Sequence, residues 1–180
     1  NRHVVLIDSN QANIDKAKEL GIEAMVANVF SDTLTDNIEL NDMGYLMALT
    51  GNSEINEYAI NKLGAQFGEN GAFRLVSSDE MNDPEKNPEE GLFSHTDDYI
   101  KMMEATRRYP ALHEIDLKDG KHFSQLIDIS NEDDEIIPLF IKAPDGKLEI
   151  ISSFSGKFNS ITEGYKLAYL GKMFDMDKIL

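Results

Sequence analysis

Asp8 is the first residue whose type and setting could do chemistry. It closes the apolar run of residues 3–8 (HVVLID) and stands just ahead of Asn10, a residue suited to capping a helix. A carboxylate at the carboxyl end of a strand can accept hydrogen bonds from both hydroxyls of a ribose, because in an open parallel sheet that end faces the ligand crevice. Asn28, Thr50 and Asn52 fall at the carboxyl ends of further strand-like runs. Amide and hydroxyl groups there serve equally as turn and cap chemistry or as polar contacts to a ligand. The glycine turn that cradles a pyrophosphate, G-x-G-x-x-G about 20 residues before the acidic position, is missing. Only seven residues precede Asp8, so the first strand and phosphate turn of such a unit are expected upstream of Asn1.

Other chemistries find less support. His3, His95, His113 and His122 show none of the close His/His or His/carboxylate spacings of a metal-binding helix. Residues 128–135 (DISNEDDE) carry the charge of a calcium loop, but Asp133 occupies the sixth position, where glycine is needed, and a solvated acidic loop is expected instead. No Ser/His/Asp or lysine-centred arrangement singles itself out as a nucleophile, and the absence of cysteine removes a thiol nucleophile, a disulfide framework and a zinc–thiolate site. With 33 acidic against 17 basic side chains the net charge is −16, which opposes nucleic acid and anionic lipid alike. No apolar run approaches the ~20 residues of a membrane helix, and no signal peptide opens the chain. The apolar run begins within a few residues of Asn1, as in a piece of a longer protein.

The elements that must position these residues alternate short apolar runs with amphipathic segments, the pattern of βαβ units around a parallel sheet. Residues 3–8 predict a strand buried on both faces. Asn10 caps a helix with Ile14, Ala17 and Leu20 at helical spacing, and Gly21 follows where a left-handed stop belongs. Residues 22–28 predict a second strand, Ser31 and Asp32 open a short helix carrying Leu34 and Ile38, and residues 45–50 (YLMALT) predict a third strand. That strand ends in Thr-Gly-Asn, where a receiver domain would need a phospho-accepting aspartate. Asn52 or Ser53 caps a longer helix with Ile55, Ala59, Leu63 and Phe67 on one face, ended by Gly68, and residues 72–77 (AFRLVS) predict the fourth strand.

Composition changes at Asp79, where DEMNDPEKNPEEG places six acidic residues and two prolines in thirteen positions. Residues 79–93 are read as an acidic linker. Ser94 and Asp97 are spaced as a capping box for a helix to Thr106 with Tyr99, Met102 and Met103 on one face. Beyond it LHEIDL predicts a strand, residues 123–129 fit strand or short helix, and residues 136–151 predict a hairpin turning at Pro144-Asp145-Gly146, with residues 165–170 as its last strand. The fold class expected is α/β, a Rossmann-like mainly parallel sheet over residues 1–78, followed by a small α+β domain over residues 94–180. Removing the first strand from a sheet ordered 3-2-1-4-5 leaves a slot, which self-association, or pairing of the first visible strand with residues 45–50, would fill.

The stretch VVLIDSNQANIDKAKELGIEAMVANVFSD, followed by YLMALTGNSEINEYAINKL, resembles the nucleotide-binding half of RCK domains, also called TrkA-N domains. The shared pattern is a strand ending in Asp, a helix closing at Gly, a strand, a short helix, a strand ending in Thr and a helix with Asn near its start, over residues 3–78. The resemblance is greatest to the tails of bacterial sodium/proton antiporters of the cation:proton antiporter class. IIPLFIKAPDGKLEII is similar, more loosely, to a divergent TrkA-C domain.

The resemblance implies NAD(H) or an adenine nucleotide as ligand, with Asp8 on the adenosine ribose, Asn28 near the adenine, and Thr50 with Asn56 near the phosphate side. It implies a homodimer joined to a transmembrane transporter domain of the same polypeptide, a cytoplasmic location at a bacterial inner membrane, and regulation in place of catalysis. Two departures stand out: the glycine turn is absent, and Asn28 stands where many RCK domains carry Asp. The rival readings are a truncated NAD-dependent oxidoreductase with residues 92–180 as substrate domain, and an assembly domain whose nucleotide site is vestigial.

Overall fold

A computed structural model of the chain describes residues 3–31, 34, 44–67, 71–81, 83, 91–93, 98–152 and 160–175. The chain divides into two compact units, Asn1–Leu46 with Glu57–Ala72, and Met47–Asn56 with Phe73–Leu180.

In the first unit β1 (Val5–Asp8) and β2 (Glu23–Val26) pair in parallel, Val5 opposite Glu23 and Asp8 opposite Val26. Between them runs α1 (Gln11–Glu19). Asn10 caps it by accepting from the Ala12 N–H at 2.9 Å, and Gly21 stops it at φ +75°, as the sequence predicts. Ile14 and Ala17 pack on Ala24 of β2. Leu20 is the C-cap residue and stands in solvent, 78% exposed, instead of on the apolar face expected of it.

β1 is not the doubly covered interior strand that its apolar run predicts. Among the described residues its only strand neighbour is β2, and the strands of residues 46–48, 72–75 and 91–92 form a separate sheet. Successive side chains alternate between faces. Val4 and Leu6 therefore share one face, and they remain 58% and 38% exposed. The expected pairing of β1 with residues 45–50 does not form.

β3 (Leu46–Ala48), β4 (Ala72–Leu75) and β5 (Gly91–Leu92) make that second sheet, with β4 and β5 parallel. α2 (Ser53–Leu63) follows β3 and continues into a tighter 3₁₀ turn, Gly64–Phe67; Gly68 lies outside the described residues. The Asn52 side chain accepts from the Ile55 N–H at 3.1 Å and so settles which residue caps the helix. The short α3 (Ser78–Met81) and β5 both fall within the stretch whose composition reads as linker. Most residues of the short helix expected from Ser31 lie outside the described residues.

The rest of the second unit is α4 (Tyr99–Arg108), β6 (Leu112–Asp116), α5 (Gly120–Glu132), β7 (Ile136–Lys142), β8 (Leu148–Ile150) and β9 (Lys166–Gly171). The four strands form an antiparallel sheet ordered β6-β9-β7-β8. The hairpin turns at residues 144–146 as predicted, with Gly146 at φ +85°. The segment left open between strand and helix is α5, and its last turns absorb much of the acidic run read as a loop.

α5 lays Phe123 and Leu126 on one cluster of buried side chains with Ile136, Ile141 and Leu167. A second cluster gathers Leu75, Leu92, Ala105, Ile137 and Ile150. Ile136 and Ile141 are five positions apart and would face opposite ways on a regular strand. The register shift between Pro138 and Phe140 inserts one residue, Leu139, and restores both to one face. That bulge also lets a proline sit in an interior strand.

Candidate functional site

Asp8 ends β1 with its carboxylate turned onto the start of α1. One oxygen accepts from the Asn10 N–H and the other from the Asn13 amide, each at 2.8 Å. Each oxygen has a second lone pair, so the group retains acceptor capacity for vicinal hydroxyls. The ladder continues one step past β2, since the Ala27 N–H donates to the Asp8 carbonyl at 3.1 Å. Asn28 thereby comes to the same carboxyl edge as Asp8, where its side chain accepts from the Phe30 N–H at 2.9 Å. The loop beyond is tied down by Lys62 of α2, whose ammonium donates to the carbonyls of Val29 at 3.2 Å and Ser31 at 2.9 Å. Phe30 packs on Tyr58 with ring centroids 4.6 Å apart.

Thr50 and Asn56 form the second pair, in the second unit. Asn56 is 1% exposed, and both halves of its amide are used within the protein. Its oxygen accepts from the Thr50 N–H at 3.0 Å and the Thr50 hydroxyl at 2.7 Å. Its nitrogen donates to the carbonyls of Thr50 at 2.9 Å and Leu75 at 3.2 Å. Asn56 therefore locks the end of β3 to the end of β4 and acts on any ligand through Thr50. The Thr50 hydroxyl also accepts from the Asn52 N–H at 3.2 Å, which closes the turn into α2. Asp8 with Asn28, and Thr50 with Asn56, are thus two hydrogen-bonded strand-end arrangements in separate units.

The Thr50 turn opens on a cavity of about 240 Å³ whose described lining residues belong to the second unit. Besides Thr50 and Asn56 it is lined by Ser77, Asp79, Asp98 and Tyr99 among others. Three of these are placed by features the sequence carries. Ser77 and Glu80 form a reciprocal capping box: the Ser77 N–H donates to the Glu80 carboxylate at 2.9 Å and the Glu80 N–H to the Ser77 hydroxyl at 3.2 Å. S-x-x-E stands in the sequence as a visible signature, hidden there by the acidic run that follows. Asp98 caps α4 by accepting from the Lys101 N–H at 2.9 Å, and Ser78 donates to its other oxygen; the expected Ser94/Asp97 box lies outside the described residues. Gly51 leaves room for the Tyr99 ring, since a Cβ there would meet its carbons Cδ1 and Cε1 at 3.0 Å and the part-exposed ring would have to shift.

Behind the cavity Arg74 of β4 is 3% exposed and donates to Glu80 at 2.8 Å. Burial raises the Glu80 pKa, but the hydrogen bonds from Arg74 and Ser77 outweigh it and hold the carboxyl below its ordinary value. Among the described residues no group of three or more His, Asp or Glu side chains could hold a metal ion.

Polar and acidic side chains at the carboxyl ends of strands, each followed by a helix, are the arrangement in which open α/β sheets present a ligand crevice. Residues 1–81 match the TrkA-N domain family, which covers β1 through α3. No curated protein matches the chain. Among the described residues no helix is long and apolar enough to cross a membrane.

Proposed function

We propose that the chain is the cytosolic nucleotide-sensing part of a bacterial cation transporter, a sodium/proton antiporter, and that it performs no chemistry of its own. The TrkA-N match over residues 1–81 supports the nucleotide-sensing part of this reading, and the antiporter setting rests on the sequence resemblance alone. Such domains generally bind the dinucleotide NAD(H). Asp8 would take the ribose hydroxyls of NAD(H) or an adenine nucleotide, Asn28 would lie near the base, and Asn56 would set the attitude of Thr50. A nucleotide that binds one arrangement of a homodimer more tightly than another shifts the population between them, and an attached transmembrane domain responds to that shift.

The test is calorimetry of NAD⁺ and ATP with the intact protein and with Asp8→Asn. Asparagine can still accept from the Asn10 N–H and so preserves the start of α1, while the charge-assisted bond to ribose is lost. A loss of about 1.5–3 kcal/mol, roughly ten- to a hundredfold in affinity, is the expected outcome. Equal affinity in the two proteins would remove Asp8 from the site, and no binding of either nucleotide would overturn the sensing role.

A further inference from the structure

The acidic run at residues 128–135 is more than a solvated loop. Its last three members stand at the turn from α5 into β7, and each carboxylate holds a base from another element. Asp133 takes Lys172, just past β9, at 2.8 Å; Asp134 takes Lys101, in the first turn of α4, at 3.0 Å; Glu135 takes Arg108, at the end of α4, at 2.5 Å. Glu135 also accepts from the Tyr109 hydroxyl at 3.2 Å, and the Lys172 ammonium lies 3.8 Å from it. The acids are set in place by the turn itself. Asp133 accepts from the Glu135 N–H at 3.1 Å, and the Lys172 N–H donates to the Glu135 carbonyl at 2.8 Å. One turn thus clasps both ends of α4.

Apolar packing holds α4 weakly. Ala105 is its one buried side chain and Met102 packs partly on the cluster of Leu75, Leu92 and Ile137, while Ile100 and Met103 are 66% and 50% exposed. With Lys101, Arg107 and Arg108 against Glu104, α4 is a cationic helix in a chain whose net charge is −16. A single exposed ion pair adds little to a fold, but several that converge on one turn form a network, and salt screens it. The six charged side chains of this one are between 27% and 64% exposed, so counter-ions reach them. We propose that α4 is an electrostatically latched helix that ionic strength releases, which makes the second unit responsive to salt concentration. Release draws Met102 and Ala105 away from Leu75 and Ile137. Elsewhere salt acts with the opposite sign, because it relieves the mutual repulsion of the excess acids. The inference stands on the second unit alone and does not depend on nucleotide binding.

Backbone hydrogen exchange of the intact protein at increasing sodium chloride tests it. The range runs from about 0.01 M, where charges are felt over roughly 30 Å, to about 1 M, where they are felt over roughly 3 Å. Across it, protection of the α4 amides should fall about tenfold relative to those of α5. Potassium chloride should act alike, since screening does not distinguish the two cations. Reversing the Lys101–Asp134 pair reads the latch directly: Lys101→Glu or Asp134→Lys alone should lower α4 protection at low salt, and the two together should restore it. Relative α4 protection that stays constant or rises with salt would overturn the inference, as would a response to sodium and not to potassium. Single reversals without effect, or a double reversal that restores nothing, would overturn it equally.

Discussion

Glu80 answers two residues at once, and its chemistry is separable from that of the other perturbed acid–base group, His122. Glu80 accepts from Arg74 and from the backbone and hydroxyl of Ser77, and its carboxyl is held below its ordinary value of 4.5. Such a group stabilises the fold above its unfolded pKa, and the contribution disappears as pH falls through the lower folded value. His122 is 6% exposed; its Nδ1 accepts from the Lys118 N–H at 3.2 Å, and its buried Nε2 has no hydrogen-bond partner among the described residues. Burial, with Lys118 adding and Asp119 opposing, pushes its pKa below the usual 6.5. The imidazole thus stabilises the fold when neutral and ceases to do so as the pH drops from 6.5 through its folded value. Urea denaturation across pH should therefore show two steps, one beginning near 6.5 that His122→Phe removes, and one below 4.5 that Glu80→Gln removes. At neutral pH Glu80→Gln should cost on the order of 2 kcal/mol, since it takes the carboxylate from a buried guanidinium. A single transition insensitive to both substitutions would refute these assignments. None of this is readable from residue type: Glu80 stands among six acids of equal appearance, and only the return of β4 beside it supplies Arg74.

Two glycines with positive φ make opposite demands on their elements. Gly146, at φ +85°, turns the β7–β8 hairpin with nothing within 4 Å of where a Cβ would go. Gly171 ends β9 at φ +104°, and a Cβ there would stand 2.0 Å from the carbonyl oxygen of Glu135. Gly146→Ala should cost about 1 kcal/mol, the backbone penalty alone. Gly171→Ala should cost appreciably more, at least about 2 kcal/mol, because the end of β9 must move as well. Equal losses in chemical denaturation would mean that the Glu135 carbonyl yields freely. The first glycine was legible, since Pro-Asp-Gly between two apolar runs names its turn; the second was not, for its constraint comes from a residue 36 positions earlier. The same distinction runs through the other elements. Asn10, Gly21 and the hairpin are local signals and appear where the sequence puts them. Met103 looks apolar and helical yet stays 50% exposed, while Ala105 is the residue α4 buries in the cluster with Leu75 and Ile137.

At the scale of the molecule, β1 presents an edge with no strand neighbour among the described residues, beside exposed Val4 and Leu6. Apolar edges of this kind recruit further strands. The net charge of −16 opposes the approach of two copies, and salt screens that repulsion over roughly 10 Å at 0.1 M. Light scattering should therefore show association that increases with ionic strength and is suppressed by Leu6→Lys; a monomer at every salt concentration would show the edge to be silent. The order β6-β9-β7-β8 has a further consequence, which concerns time more than stability. β9 is the interior strand that bridges β6 to β7, yet the ribosome delivers it after both. Until residues 166–171 emerge, β6 has no partner in its sheet, β7 lacks one edge, and the side chains meant to lie on Leu167 and Tyr169 are open to water. The β7–β8 hairpin can form early from local contacts, but the sheet closes only when a segment that begins 50 residues downstream of the end of β6 inserts between finished neighbours. During synthesis this half of the molecule thus passes through an interval in which its stickiest surface waits for its own last strand.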